Sequence, residues 1–118
     1  MINQTRTPAS RLADILDACH DCVAWTQDLQ AYDIASDSKL FHALCRLLCN
    51  IGEAANYLPI DYRAEMPLIP WRKVVATRNL LVHRYWVVDR GLLLLTIHND
   101  FPKLVAAIHE WQSAKVNP

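Results

Sequence analysis

Apolar residues recur at helical spacing through most of the chain, and prolines and capping residues divide the pattern into segments. The first segment covers about residues 9–29 and can be capped by Thr7 or Ser10. Its apolar stripe consists of Leu12, Ile15, Leu16, Cys19 and Val23, and its opposite face carries Asp14, Asp17, Asp21 and Asp28. An apolar stripe opposite an acidic face is typical of a surface helix.

A second helix is predicted from Ser36 or Ser38 to about Leu58, where Pro59 stops it. Its main apolar stripe is Leu40, Leu44, Leu47, Leu48, Ile51, Ala55 and Leu58. At 100° per residue, one narrow polar seam remains on the far side, formed by His42, Arg46, Cys49 and Glu53. This polar seam suits burial against another part of the chain or a second subunit, although an ordinary amphipathic helix is the alternative. Gly52 would let another backbone approach beside it.

Prolines mark the remaining elements. Residues 59–70 hold three prolines, which predicts a loop with a short turn around residues 61–65. Pro70 suits the first turn of a third helix that runs to about residue 82. Asp89 can cap a fourth helix. Pro102 interrupts the pattern of that helix, so we expect a kink or restart near residues 99–101.

The pattern therefore predicts an all-α fold, an up-and-down bundle of four to five helices. At 118 residues and 53% apolar content, the chain is expected to form one domain over residues 1–118, with residues 1–8 and 113–118 as loose termini. No apolar run approaches the ~20 residues that a membrane-spanning helix needs. The N-terminus lacks the apolar segment of a signal peptide. We expect a cytoplasmic protein without a membrane partner.

Charge is balanced overall but unevenly distributed. The net charge is zero, yet residues 12–38 hold six aspartates and neither lysine nor arginine. Residues 63–90 hold six basic residues against Glu65 and Asp89. The two segments could be ordinary solvated faces, or the dipolar chain could bind its own copy or an oppositely charged partner.

The cysteines occur as two closely spaced pairs, Cys19-x-x-Cys22 and Cys45-x-x-x-Cys49. Such spacing is compatible with zinc ligation, and a zinc-bound helical bundle is one alternative. Both pairs, however, fall inside helical patterns rather than in the glycine-containing turns that usually present zinc ligands. Small buried apolar residues are the simpler interpretation, and a disulfide is not expected in the cytoplasm. We predict neither a metal nor a cofactor.

The most informative chemistry lies between residues 78 and 85, where Arg78, His83 and Tyr85 are arranged as Arg-x-x-x-x-His-x-Tyr. A guanidinium holds phosphate through a fork of donors, and imidazole transfers protons near neutral pH. These groups can serve phosphodiester cleavage without a metal. On one continuous helix Arg78 and Tyr85 would share a face, but His83 would point about 140° away from Arg78. Either the backbone bends between Val82 and Tyr85, or a symmetric dimer completes the site.

The motif and its surroundings resemble a known family. The run of residues 69–79 (IPWRKVVATRN), the following His83-Arg84-Tyr85-Trp86 with Asp89, and the upstream segment of residues 51–55 (IGEAA) are similar to the HepT-like toxins of the HEPN superfamily. The resemblance covers about residues 11–112. Three positions differ from the family pattern. Cys49 and Asn50 stand where glutamate and an aliphatic residue are expected, and Arg84 stands where a small or acidic residue is more usual.

The resemblance implies a helical HEPN-like fold, a two-fold homodimer and an endoribonuclease toxin that acts on RNA. It also implies a cognate nucleotidyltransferase antitoxin that adenylylates the motif tyrosine, here Tyr85. We predict that Arg78 stabilises charge on the phosphate and that His83 acts as an acid or base. The predicted supporting residues are Asn79, Tyr85, Glu53 and Arg84. The alternative function is a non-catalytic helical subunit that binds and supports a nucleotidyltransferase.

Overall fold

The computed structural model describes residues 6–116, which form helices joined by short loops. The helices are α1 (Pro8–Trp25), α2 (Ala31–Ala35), α3 (Ser38–Tyr57), α4 (Ile60–Ala64), α5 (Trp71–Arg84), α6 (Arg90–Leu95) and α7 (Phe101–Val116). A 3₁₀ turn, Tyr85–Val87, follows α5, and a π-helical segment, Thr96–Asp100, joins α6 to α7. Residues 6–116 contain no strand. The prediction of an all-α bundle is therefore confirmed, with α1, α3, α5 and the continuous α6–α7 as its four long members.

The first helix starts where predicted but ends earlier. Thr7 and Ser10 cap it reciprocally, each side chain accepting from the other's backbone N–H. The predicted end near residue 29 is wrong, because α1 stops at Trp25. The Oγ1 of buried Thr26 donates to the Cys22 carbonyl, and His98 Nε2 lies 3.0 Å from that Oγ1. Asp28 then takes a left-handed φ of 63°, which turns the chain away from the helix axis.

One short helix separates α1 from the longest helix. The sequence pattern did not predict α2, a single turn whose Ile34 is fully buried in the core. α3 begins at Ser38, one of the two predicted starts, and Asp37 caps it by accepting a hydrogen bond from the Leu40 N–H. At its other end α3 stops at Tyr57, just before Pro59, as predicted.

The last helical segment runs from Arg90 to Val116 through the π-helical turn. Asp89 caps its start, as predicted, by accepting from the Leu92 N–H at 2.9 Å. Pro102 has no N–H to donate, and just before it the helix widens so that the Phe101 N–H donates to the Thr96 carbonyl. This π-helical turn is the predicted irregularity.

By length and composition alone, Arg90–Val116 could cross a membrane. Its apolar stripe instead packs into the core of the domain, through Leu93, Leu94, Ile97, Phe101, Leu104 and Ile108. The predicted loose C-terminus is wrong for residues 113–116, because α7 continues to Val116 and Lys115 pairs with Glu65. Residues 1–5 and 117–118 lie outside the described residues.

α3 is the central element of the bundle. One side packs against α1 and the other against α5, and its buried residues include Phe41, Leu44, Leu48 and Ile51. By contrast, α5 buries only Trp71 and Leu81. Trp71 fixes the start of α5, because its Nε1 donates to the carbonyls of Arg63 and Met66, each at 3.1 Å. The fold therefore presents α5, which carries the motif, on the surface of a core built mainly by other helices.

Candidate active site

The site begins where α3 and α5 approach each other at Gly52. A Cβ on Gly52 would lie 2.3 Å from the Cβ of Arg78 and 3.1 Å from the carbonyl oxygen of Val74. Carbon atoms in ordinary contact are about 3.5–4.0 Å apart, so no larger residue fits without moving a helix. The predicted close approach beside the polar seam is confirmed. This close approach fixes the Cβ of Arg78 against α3.

Two neighbours orient the guanidinium of Arg78. Its Nη1 donates to Asn79 Oδ1 at 3.1 Å, and its Nη2 lies 3.8 Å from Glu53 Oε2. The Arg78 side chain is 34% exposed and that of Glu53 is 52% exposed, so this ion pair contributes about 0–1 kcal/mol to stability. The ion pair therefore mainly sets the direction in which the Arg78 guanidinium points. Part of the guanidinium remains open to an incoming anion.

Cys49 lies on the same seam, one turn of α3 before Glu53. It is partly buried, and burial raises the pKa of its thiol above the usual value. The positive charges of Arg46 and Arg78 oppose that rise, whereas the charge of Glu53 adds to it. Cys49 therefore lies near the charged side chains of Arg78 and Glu53.

The helix that carries the motif ends at Arg84. The backbone of Arg84 leaves helical values, with φ −146° and ψ 42°, and Tyr85–Val87 continue as a 3₁₀ turn. This is the predicted bend between Val82 and Tyr85. Arg90 holds the segment between the 3₁₀ turn and α6 in place. Its guanidinium carbon lies 3.8 Å from the centre of the Phe41 ring, and its Nη1 donates to the Val88 carbonyl.

Beyond the bend, Tyr85 meets the other end of the polar seam. The ring centres of Tyr85 and His42 are 5.5 Å apart at 64°, and those of Tyr85 and Trp86 are 5.6 Å apart at 81°. Arg78 and Tyr85 thus both approach the polar seam of α3, Arg78 near Glu53 and Tyr85 at His42. The structure brings these two motif residues into one surface.

The structure does not gather the whole motif within one chain. His83 and Arg84 are both exposed, and within residues 6–116 neither forms a side-chain hydrogen bond or an ion pair. Because α5 is helical through Arg84, His83 points about 140° away from Arg78 around the axis. One protomer therefore presents the phosphate-binding group and the acid–base group on different sides of α5.

The other cysteines are core residues. Cys19, Cys22 and Cys45 are buried, and burial raises the pKa of Cys19 and Cys22 to about 12 and that of Cys45 to about 11. Within residues 6–116, no group of three or more potential metal ligands comes together. Their packing agrees with the interpretation as small apolar side chains.

Sequence reasoning did not assign a site role to His42, Arg46 or Trp86. The signal for the first two was present in the polar seam, whose spacing places them on the face that also carries Glu53. The contact between His42 and Tyr85 joins residues 43 positions apart, and no local pattern predicts it. Trp86 had no such signal in the sequence. Its 63% exposure, which shows that it is not a core aromatic residue, is known only from the fold.

The described residues therefore form a helical domain whose surface combines a held guanidinium, an exposed imidazole and a tyrosine. Comparison with known proteins gives the family: residues 15–111 match the HepT-like ribonucleases, and the chain belongs to this family. The family match covers α3 and α5 completely.

Similar proteins carry names of the same kind. "Putative RNase MJ1380" of Methanocaldococcus jannaschii is 34% identical over 93 residues, 79% of this chain and 85% of that protein. "Probable ribonuclease HepT" of Thermococcus cleftensis is 34% identical over 84% of this chain and 90% of its own length. "Putative RNase TTE0752" of Caldanaerobacter subterraneus subsp. tengcongensis is 30% identical over 89% and 94%, respectively. No solved structure matches the chain.

Proposed function

We propose that the protein is an endoribonuclease toxin that cleaves RNA without a metal and is silenced by a nucleotidyltransferase antitoxin. The family supports the ribonuclease class. In the proposed reaction a base removes the proton from a ribose 2′-OH, whose oxygen attacks the adjacent phosphorus. The bond to the 5′-oxygen breaks, and an acid protonates that leaving oxygen. Arg78 stabilises the charge on the non-bridging oxygens, and His83 serves one of the two proton transfers.

The observation that carries the proposal is the placement of Arg78. The missing side chain at Gly52 lets the Cβ of Arg78 pack closely against α3. Asn79 and Glu53 direct the guanidinium while leaving it partly exposed. A guanidinium held in this way is pre-organised for a phosphate and needs little rearrangement on binding. Asn79 can also hold a phosphate oxygen, and Arg84 adds a second cation at the end of α5.

We further propose that a two-fold homodimer completes the site. His83 points away from Arg78 on α5, so a second copy is the direct way to bring an imidazole to the phosphate. Exposed apolar residues on α5, on the 3₁₀ turn and on α6 also suit an interface. They are Leu80, Val82, Val87, Leu92 and Leu95, with exposures between 41% and 66%.

Control would act through Tyr85. Tyr85 is 43% exposed at the edge of the site, which would give a modifying enzyme access to its side chain. An attached adenylate would bring a phosphate that can pair with Arg78 or Arg84, and its charge would repel RNA. Intact mass spectrometry of the chain, expressed with and without its partner, tests this. An adenylate increment on Tyr85 that disappears in Tyr85→Phe is expected, whereas an unmodified but inactive complex would contradict it.

The reaction itself is tested by purified protein and a labelled RNA. Cleavage should persist in EDTA, stop when the sugar at the cut site is 2′-deoxy, and disappear in His83→Ala without loss of thermal stability. A strict requirement for a divalent ion would refute the mechanism. The second candidate, a non-catalytic subunit for a nucleotidyltransferase, predicts that expression of the chain alone causes neither toxicity nor new RNA ends.

A further inference from the structure

A cluster of aromatic rings extends from the motif tyrosine, and the proton transfers proposed above do not use it. His42, Tyr85 and Trp86 form a continuous set in which the Tyr85 ring lies between the other two. All three are exposed, and Trp86 is 63% exposed. We call this set the aromatic platform. Burying such a large ring is normally favourable, so an open tryptophan beside a site marks a binding surface rather than core packing.

The platform is fixed in place by the core beneath it. The ring of buried Phe41 touches His42 edge-on at 5.4 Å, and the Arg90 guanidinium covers Phe41 at 3.8 Å. His42 belongs to the first two turns of the bundle's central helix, so its position depends on α3 rather than on a loop. The rings are therefore pre-organised and lose little freedom when a flat ligand stacks on them.

Charge around the platform favours a nucleic acid. Arg46 lies one helical turn from His42 on the polar seam, and Arg84 immediately precedes Tyr85. Both arginines are exposed. Aromatic rings next to cations are the usual means by which proteins hold single-stranded nucleic acid, with bases on the rings and phosphates on the cations. In a duplex the base faces are already stacked on one another, so only an unpaired nucleotide can use such rings.

We propose that His42, Tyr85 and Trp86 form a nucleobase-binding subsite that takes an unpaired base next to the phosphate held by Arg78. The substrate is then single-stranded RNA, such as a loop or an end. This inference rests on the proposed ribonuclease function and adds its substrate class. It assigns Trp86 and His42 to substrate binding, while the proton transfers remain with His83.

The test compares variants of the full-length protein. Trp86→Ala should weaken affinity for a single-stranded, 2′-deoxy-protected RNA by about 5- to 150-fold, the range measured for the loss of one base–aromatic stack. Its kcat/KM for the cleavable RNA should fall similarly, and Trp86→Phe should recover most of both. Trp25→Ala is the matched control. Trp25, at the end of α1, is also exposed, at 46%, and its replacement should change neither the affinity for RNA nor kcat/KM. His42→Phe should retain activity that His42→Ala loses.

The outcomes separate this inference from the function on which it rests. If the wild-type protein neither binds nor cleaves RNA, the ribonuclease proposal itself fails. If it cleaves RNA but Trp86→Ala binds and cleaves as well as the Trp25→Ala control, the subsite is refuted alone. A duplex of the same sequence cleaved as fast as the single strand would also refute it. Dissociation of a dimer in Trp86→Ala would instead assign the ring to contacts between copies.

Discussion

The most direct perturbation of the site is the addition of one methyl group at Gly52. In Gly52→Ala the new Cβ would lie 2.3 Å from Arg78 Cβ, about 1.5 Å closer than two carbons normally approach. Arg78 Cβ cannot rotate away because it is bonded directly to the backbone of α5. Relief therefore requires α3 and α5 to separate, and this movement carries Arg78 away from its place beside Glu53.

The expected effects on stability and activity differ in size. Forcing a methyl group into a packed contact costs about 1–3 kcal/mol, and alanine regains about 1 kcal/mol over glycine inside a helix. The net destabilisation is then about 0–2 kcal/mol, a decrease in Tm of roughly 0–10 °C. A displacement of about 1 Å in a positioning group can lower activity about 100-fold. Cleavage should therefore fall much more than stability.

Gly91→Ala is the matched control. Its added Cβ would meet the terminal Oδ1 of Asp89 at 3.2 Å and Ala31 Cβ at 3.7 Å, contacts that a small rotation of the carboxylate relieves. Circular dichroism melting curves and cleavage of a fluorescent RNA should be measured for both variants. If Gly52→Ala retained wild-type kcat/KM while folding normally, the close approach would not be what positions Arg78 for catalysis.

The other predictions concern charge geometry, thiol reactivity and assembly. Arg78→Lys should lose most cleavage in the RNA assay and keep its Tm, because an ammonium lacks the planar fork; full activity would contradict the assigned role. Maleimide at pH 8 should label Cys49 before Cys19, because burial raises the pKa of the Cys19 thiol to about 12. Peptide mass mapping would identify the labelled cysteine, and labelling of Cys49 should block RNA cleavage. Leu80→Glu should dissociate the proposed dimer in sedimentation, whereas Leu68→Glu, at a 92% exposed loop residue, should not.

Local signals were sufficient to predict the elements that carry the site. Pro59 ends α3, Asp89 caps α6, and the absence of a side chain at Gly52 indicated a close approach of helices. Each of these depends on the properties of a residue within its own element or at its boundary. The spacing of the polar seam likewise identified the face of α3 that meets the motif.

The features that the sequence did not predict depend on contacts between distant residues. α1 ends at Trp25 because Thr26 meets His98, which lies 72 positions later, and no pattern within the first helix records that contact. The short α2 exists because Ile34 fills a place in the core. In the site, the contact of His42 with Tyr85 follows from the antiparallel packing of α3 and α5 and not from the spacing of either helix.

The distribution of burial explains why chemistry and stability are separable in this domain. The fully buried side chains, such as Ile15, Leu44 and Ile97, lie outside α5, which contributes little to the core. The polar groups of the motif remain partly or fully solvated, so they carry little of the desolvation cost that buried charges would impose. A helix held mainly by Trp71, Leu81 and its contact with α3 can thus present an arginine and an imidazole outward. The same openness means that a single chain exposes its reactive groups on more than one side of α5, and it is this division of the motif that makes a second copy part of the proposed mechanism.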